Sequence, residues 1–119
     1  MKNNILKEKS YSFAIRVVKL AQHLQSEKRE FVMSKQILRS GTSVGALIRE
    51  AEFGQSKPDF ISKMSIALKE ANETEYWLNL LKDSQYLDLK SFDSIWKDCS
   101  ELIALLVSTV KTSKLNKLV

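Results

Sequence analysis

Apolar positions along this chain recur at steps of three and four, the spacing that puts side chains on one face of an α-helix. They do so in four separate stretches. In the first, Phe13, Val17, Leu20 and Leu24 predict a helix over about residues 10–25. The charged, non-periodic run 26–30 reads as a connector. In the second, Met33, Ile37, Val44, Ile48 and Ala51 predict a helix over about 32–53. Ser40, Gly41, Thr42 and Ser43 interrupt that stripe, and glycine and hydroxyl residues weaken a helix interior. A kink or a tighter turn is expected there, with Gly54 as the C-terminal stop.

The third stretch opens with Ser56, Lys57, Pro58 and Asp59. Ser56 suits an N-cap, Pro58 suits a first turn where its missing N–H costs nothing, and Asp59 complements the positive end of the helix dipole. Phe60, Met64, Ala67, Ala71, Thr74, Leu78 and Leu81 then form a heptad seam, predicting a helix over about 57–84. The fourth helix, about 88–112, takes Asp88 as its N-cap. Leu87 and Phe92 occupy the two positions of a hydrophobic staple. Ile95, Cys99, Leu102 and Leu106 continue the stripe towards Val110, and the basic tail beyond it is expected to fray.

Four helices with short connectors predict an all-α fold, an antiparallel up-down-up-down four-helix bundle in one domain spanning 1–119. With 119 residues, three Gly and one Pro, the chain has the size of one core and too little turn punctuation for a β-sandwich. The antiparallel topology brings both termini to one end. Lys2, Lys7 and Lys9 would meet Lys111, Lys114 and Lys117 there, a candidate nucleic-acid-binding pole.

Apolar side chains also lie off the core stripes. Tyr11, Ile15 and Val18 do so on the first helix, Ile66, Trp77 and Leu80 on the third, and Trp96, Ile103 and Val107 on the fourth. A surface helix of a monomer should have a polar back, and contiguous apolar patches mark interfaces. These nine residues are therefore expected to form an oligomer interface, the partner being the chain itself.

The net charge of +5 and the pI of about 9.4 permit contact with nucleic acid. No apolar run approaches the ~20 residues of a membrane span. The first residues lack a secretory signal's apolar region, and a lone cysteine, Cys99, suits a reducing compartment. A cytoplasmic protein without membrane contact is expected.

Candidate chemistry is thin. The single histidine, His23, has no Glu-x-x-His partner, so no metal site is implied. The run from Gly41 to Gly45 lacks the frame of a phosphate loop and reads instead as small residues that let helices approach closely. Trp77 and Trp96 have the helical spacing of packing residues. Among Glu70, Glu73 and Glu75, Glu75 falls nearest the core stripe and calls for a partner, with Arg39 or Arg49 of the second helix expected to supply a structural ion pair. No nucleophile or second base accompanies it. No enzyme activity, small-molecule substrate or cofactor follows.

The stretch SKQILRSGTSVGALIREAEFG, followed by FISKMSIALKEANETEYWLNLL, resembles the bacterial four-helix-bundle proteins of the 23S rRNA intervening-sequence family. The recognisable residues are Gln36, Arg39-Ser40, Ser43-Val44, Ile48, Glu50, Ile66-Ala67, Glu73 and Glu75-Tyr76. The resemblance implies a bundle assembled into a closed ring, typically a pentamer, without enzymatic activity. A related group, the accessory proteins of diversity-generating retroelements, forms basic rings that bind nucleic acid and a reverse transcriptase. The chain departs from the commoner pattern at Leu47, where many members carry asparagine, and at Ala51, where many carry glycine. A nucleic-acid-binding or ribosome-associated accessory ring is the first expectation. A protein-interaction scaffold for a larger enzyme is the alternative.

Overall fold

The structure, a computed structural model, describes residues 2–117, with side chains described over 5–115. Four helices make up the fold: α1 (Lys2–Ser26), α2 (Met33–Glu52), α3 (Lys57–Asp83) and α4 (Leu89–Lys117). Each packs against its two neighbours in a cyclic order, α1 on α2, α2 on α3, α3 on α4 and α4 on α1. The bundle is 51 Å long and 22 by 20 Å in section. This is the predicted all-α antiparallel arrangement, and its core is the set of stripes read above: Phe13, Val17, Leu24, Ile37, Val44, Ile48, Met64, Ala67, Ala71, Leu78, Leu81, Ile95, Cys99, Leu102 and Leu106 are all buried.

Two helix ends differ from the expected bounds. α1 begins at Lys2 rather than near residue 10, because Leu6 lies one heptad before Phe13 and is buried with it, Ser10 filling the turn between them. α4 continues to Lys117 instead of fraying after 112. Nothing in its polar last turns breaks a helix, although Val110 is the last of the described residues that reaches the core.

Ser40–Ser43 bring neither a break nor a tighter turn, and α2 runs through them as continuous α-helix. Thr42 Oγ1 donates to the Leu38 carbonyl at 2.7 Å and Ser43 Oγ to the Arg39 carbonyl at 2.6 Å. Their hydroxyls thus bond back to carbonyls of the preceding turn, within the helix. α2 ends at Glu52 with Phe53 as its C-cap, and Gly54 just beyond is not the left-handed stop that was expected. No glycine has a positive φ. A Cβ at Gly54 would instead lie 2.9 Å from an Asp59 carboxylate oxygen and 3.1 Å from the Ala51 carbonyl, so the position is glycine for space.

The predicted caps form. Ser56 Oγ accepts from the Asp59 amide at 3.2 Å, and Asp88 Oδ1 accepts from the Ser91 amide at 2.8 Å. That contact, followed by the Ser91 hydroxyl, holds the Asp88 carboxyl below its ordinary pKa. The cap of α2 comes from Glu30, inside the charged connector 26–30. Its two oxygens accept from the amides of Val32, Met33 and Ser34 at 3.1, 2.9 and 2.8 Å. Burial pushes the Glu30 carboxyl upward, but the three amides and the Ser34 hydroxyl outweigh it and leave the group below its usual value.

Candidate functional site

The α1–α2 seam is built from small residues. A Cβ at Gly41 would lie 2.8 Å from both Val17 methyls, and one at Gly45 would lie 3.4 Å from Ser10 Oγ. The close approach expected of this stretch is therefore real, and its physical effect is to bring the two helix backbones together. Outside the seam, Lys7, Tyr11, Ala14, Thr42, Ala46 and Arg49 border an open groove. Ser40 and Thr74 tie α2 to α3 by hydroxyls 2.9 Å apart, both fully buried.

Arg39 does form an ion pair, with partners other than the one expected. Its Nη1 lies 3.2 Å from Glu70 and its Nη2 bonds Glu73. The Trp77 indole donates to the same Glu73 oxygen at 3.1 Å. That bond first, and Arg39 second, hold the Glu73 carboxyl below its ordinary value. Glu75 instead accepts from the Trp96 indole of α4 at 3.1 Å. The correction has a geometric cause. Lys63, Ile66, Glu70, Glu73, Trp77 and Leu80 recur at steps of three and four along the α2 flank of α3, where Lys63 also pairs with Glu50. Glu75 lies on the opposite flank, facing α4. Arg49 is exposed and makes no ion pair among the described residues.

The off-stripe apolar residues divide into two sets. Tyr11, Ile15, Val18, Ile66 and Val107 are exposed, by 66, 42, 36, 41 and 42%. Trp77, Trp96 and Ile103 are half-buried and pack against the core, as Leu80 is half-buried on the α2 flank of α3. Trp96 also stacks on Phe92, with centroids 6.4 Å apart. Part of what the pattern assigned to an interface is thus the bundle's own outer core.

The lysine pole assembles unevenly. Lys7 pairs with Glu52 at 3.4 Å and Lys9 with Glu101 at 3.2 Å. Lys111 and Lys114 are exposed and make no ion pair among the described residues. The side chains of Lys2 and Lys117 lie outside those described.

Among the described residues no three His, Cys, Asp or Glu side chains converge as a metal site, and no helix is long and apolar enough to cross a membrane. Cys99 is fully buried, its Sγ 3.5 Å from the Ala71 carbonyl. Burial, then Glu75 and Asp98, push its thiol up to about 12.

Sequence reasoning missed Glu30 as a cap, and among the three carboxylates it singled out it gave the arginine to Glu75 rather than to Glu70 and Glu73. The signals were present: an acid just ahead of a helix start, and two acids three apart on a stripe beside an arginine-bearing helix.

The fold and these surfaces define a four-helix bundle whose conspicuous features are seams and faces. The family model of the 23S rRNA-intervening sequence protein matches residues 2–108, and the chain belongs to that family. Its structure is similar to the crystal structure of a protein of unknown function from the S23 ribosomal protein family of Bacteroides thetaiotaomicron VPI-5482. The two share 58% identity at a TM-score of 0.92, over 93% of this chain and 99% of that one. No curated protein matches the chain.

Proposed function

We propose that this protein is a non-catalytic bundle that assembles with copies of itself into a closed ring, and that the ring is a nucleic-acid-binding or ribosome-associated accessory in the cytoplasm. The exposed stripe Tyr11, Ile15 and Val18 carries the first half of this reading. Three apolar side chains, one or two turns apart on the outer face of a well-formed helix, have nothing in their own bundle to cover them. The resemblance noted above implies five copies. Light scattering at micromolar concentration tests assembly: a mass several times 13.6 kDa is expected, and a monomer overturns it.

The nucleic-acid half rests on the +5 charge and on Lys111 and Lys114, exposed at one end and free of acidic partners among the described residues. The names of the family and of its structural relative point towards ribosomal RNA. A ring repeats those lysines around one rim, and repeated charge concentrates the positive field. Binding to RNA or DNA should weaken steeply with salt, because phosphate contacts release counterions. If the protein binds neither at low salt, the scaffold reading replaces this one.

A further inference from the structure

The connector ahead of α2 is built inside out. Arg29 takes a left-handed backbone, φ 53°, and the Glu30 amide bonds the Leu24 carbonyl at 2.9 Å. The acid Glu30 is buried there, while the apolar Phe31 and Val32 face solvent, exposed by 49 and 72%. The helix they precede explains neither. Val32 holds the N-cap position, where a polar side chain is usual, and caps nothing. Phe31 stands where a hydrophobic staple would begin, but the partner position is the exposed Gln36. The backbone amides that Glu30 holds fix this apolar pair in place, so its exposure belongs to an ordered surface.

The antiparallel topology puts the α3–α4 connector at the same end, where Leu89 is also exposed. An open cleft of about 870 Å³ runs between the two connectors. His23, Glu27 and Lys28 line one side of it and Gln85, Tyr86 and Leu89 the other. The charges of this tip are sorted. Glu30 caps α2, Asp88 caps α4, and Asp83 pairs with Lys82 at 3.7 Å, so these acids already have partners in the fold. Lys28, Arg29, Lys35 and Lys90 are exposed and make no ion pair among the described residues. Glu27 and Asp93 remain to oppose them, which leaves the outward field positive.

We propose that this tip docks an acidic amphipathic helix of another protein. Val32 and Leu89 offer carbon surface but no ring on which a nucleobase could stack, which favours apolar side chains over bases. A flat membrane surface would not fill a cleft between two connectors. The bundle is 22 by 20 Å in section, the length of about four helical turns. A helix laid across the tip sets its apolar stripe on Leu89, the cleft and the Phe31–Val32 pair, with its Asp and Glu side chains towards the free cations. The site lies at the opposite end from Lys111 and Lys114 and needs neither self-assembly nor nucleic acid.

Fluorescence anisotropy with the full chain tests this. The probe is a labelled helical peptide of roughly 16 residues, with leucines on one face and glutamates on the other. It should bind, bind less as salt rises, and bind far less when its glutamates are replaced by lysines. Val32→Ser with Leu89→Ser should weaken binding by about tenfold or more. Lys28→Gln with Lys90→Gln should weaken it at low salt and flatten the salt dependence. Leu115→Ser, exposed at the other end, should change nothing. All five positions are exposed, so circular dichroism should show unchanged helicity. No binding at low salt, or binding that survives the Val32 and Leu89 substitutions, overturns the assignment. So does a uridine oligonucleotide or a phosphatidylserine vesicle that binds more tightly than the peptide and is weakened by the same substitutions.

Discussion

Val17 of α1 and Gly41 of α2 touch so closely that the glycine position has no room for a methyl group, since a Cβ there would sit 2.8 Å from both valine methyls. Val17 is fully buried and β-branched, so it cannot swing aside. Gly41→Ala gains up to ~1 kcal/mol of helix propensity but overpacks the seam by roughly 1–3 kcal/mol. Urea denaturation should show a net loss. A variant more stable than the wild type would mean that the helices do not pack this tightly.

Gln85 should respond in the opposite sense. It has φ 68° at the end of α3, where the amides of Gln85 and Tyr86 bond the carbonyls of Lys82 and Leu81 at 3.0 and 2.9 Å. A residue with a Cβ costs ~1 kcal/mol in this left-handed position. Gln85→Gly should therefore stabilise by about that amount, raising the thermal midpoint, whereas Gln85→Ala should not.

Ser40 and Thr74 form a buried pair in which Ser40 depends on Thr74, while Thr74 also has the Glu70 carbonyl. Removing the Thr74 hydroxyl, as in Thr74→Val, strands Ser40 Oγ and should cost ~1–3 kcal/mol, whereas Ser40→Ala should cost less because Thr74 Oγ1 still donates to the Glu70 carbonyl at 2.8 Å. Replacing both, with Ser40→Ala and Thr74→Val, should cost less than the sum of the single changes, a coupling that a double-mutant cycle measures directly.

Glu30 makes stability depend on pH. Its folded carboxyl sits below the ordinary value of 4.5, so its contribution is present above that pH and is lost as pH falls through the folded value. Glu30→Gln should destabilise at neutral pH by ~0.5–2 kcal/mol, as loss of a helix cap does. The gap between variant and wild type in urea midpoints should narrow below pH 4.5. A gap that is constant with pH would show that the charge of Glu30 contributes nothing.

The core was legible because burial and helical period leave the same mark on a sequence. Met64, Ala67, Ala71, Thr74, Leu78 and Leu81 are buried at the spacing that the pattern announces, with only Phe60 yielding its place to Ile61. What escaped were relations between helices. Whether Glu73 or Glu75 meets Arg39 depends on which neighbour lies on which flank of α3, and a step of two residues moves a side chain about 200° around the axis. Leu6 escaped for another reason: its surroundings are polar, and only the burial of Ser10 connects it to Phe13. The surfaces are the least legible part, because an apolar residue at the edge of a core and one at an interface follow the same period. Trp96 and Val107 share a stripe, yet only Val107 is exposed.

The buried thiol of Cys99, with a pKa of about 12, has a practical consequence. At neutral pH it holds almost no thiolate, the form that reacts with maleimides and disulfides. The native chain should therefore stay silent to cysteine-directed dyes. A cysteine introduced at an exposed position such as Ser108 can then take a fluorophore by itself, with the native cysteine left in place. Energy transfer between copies labelled in this way would report how many of them share one particle and how far apart they stand.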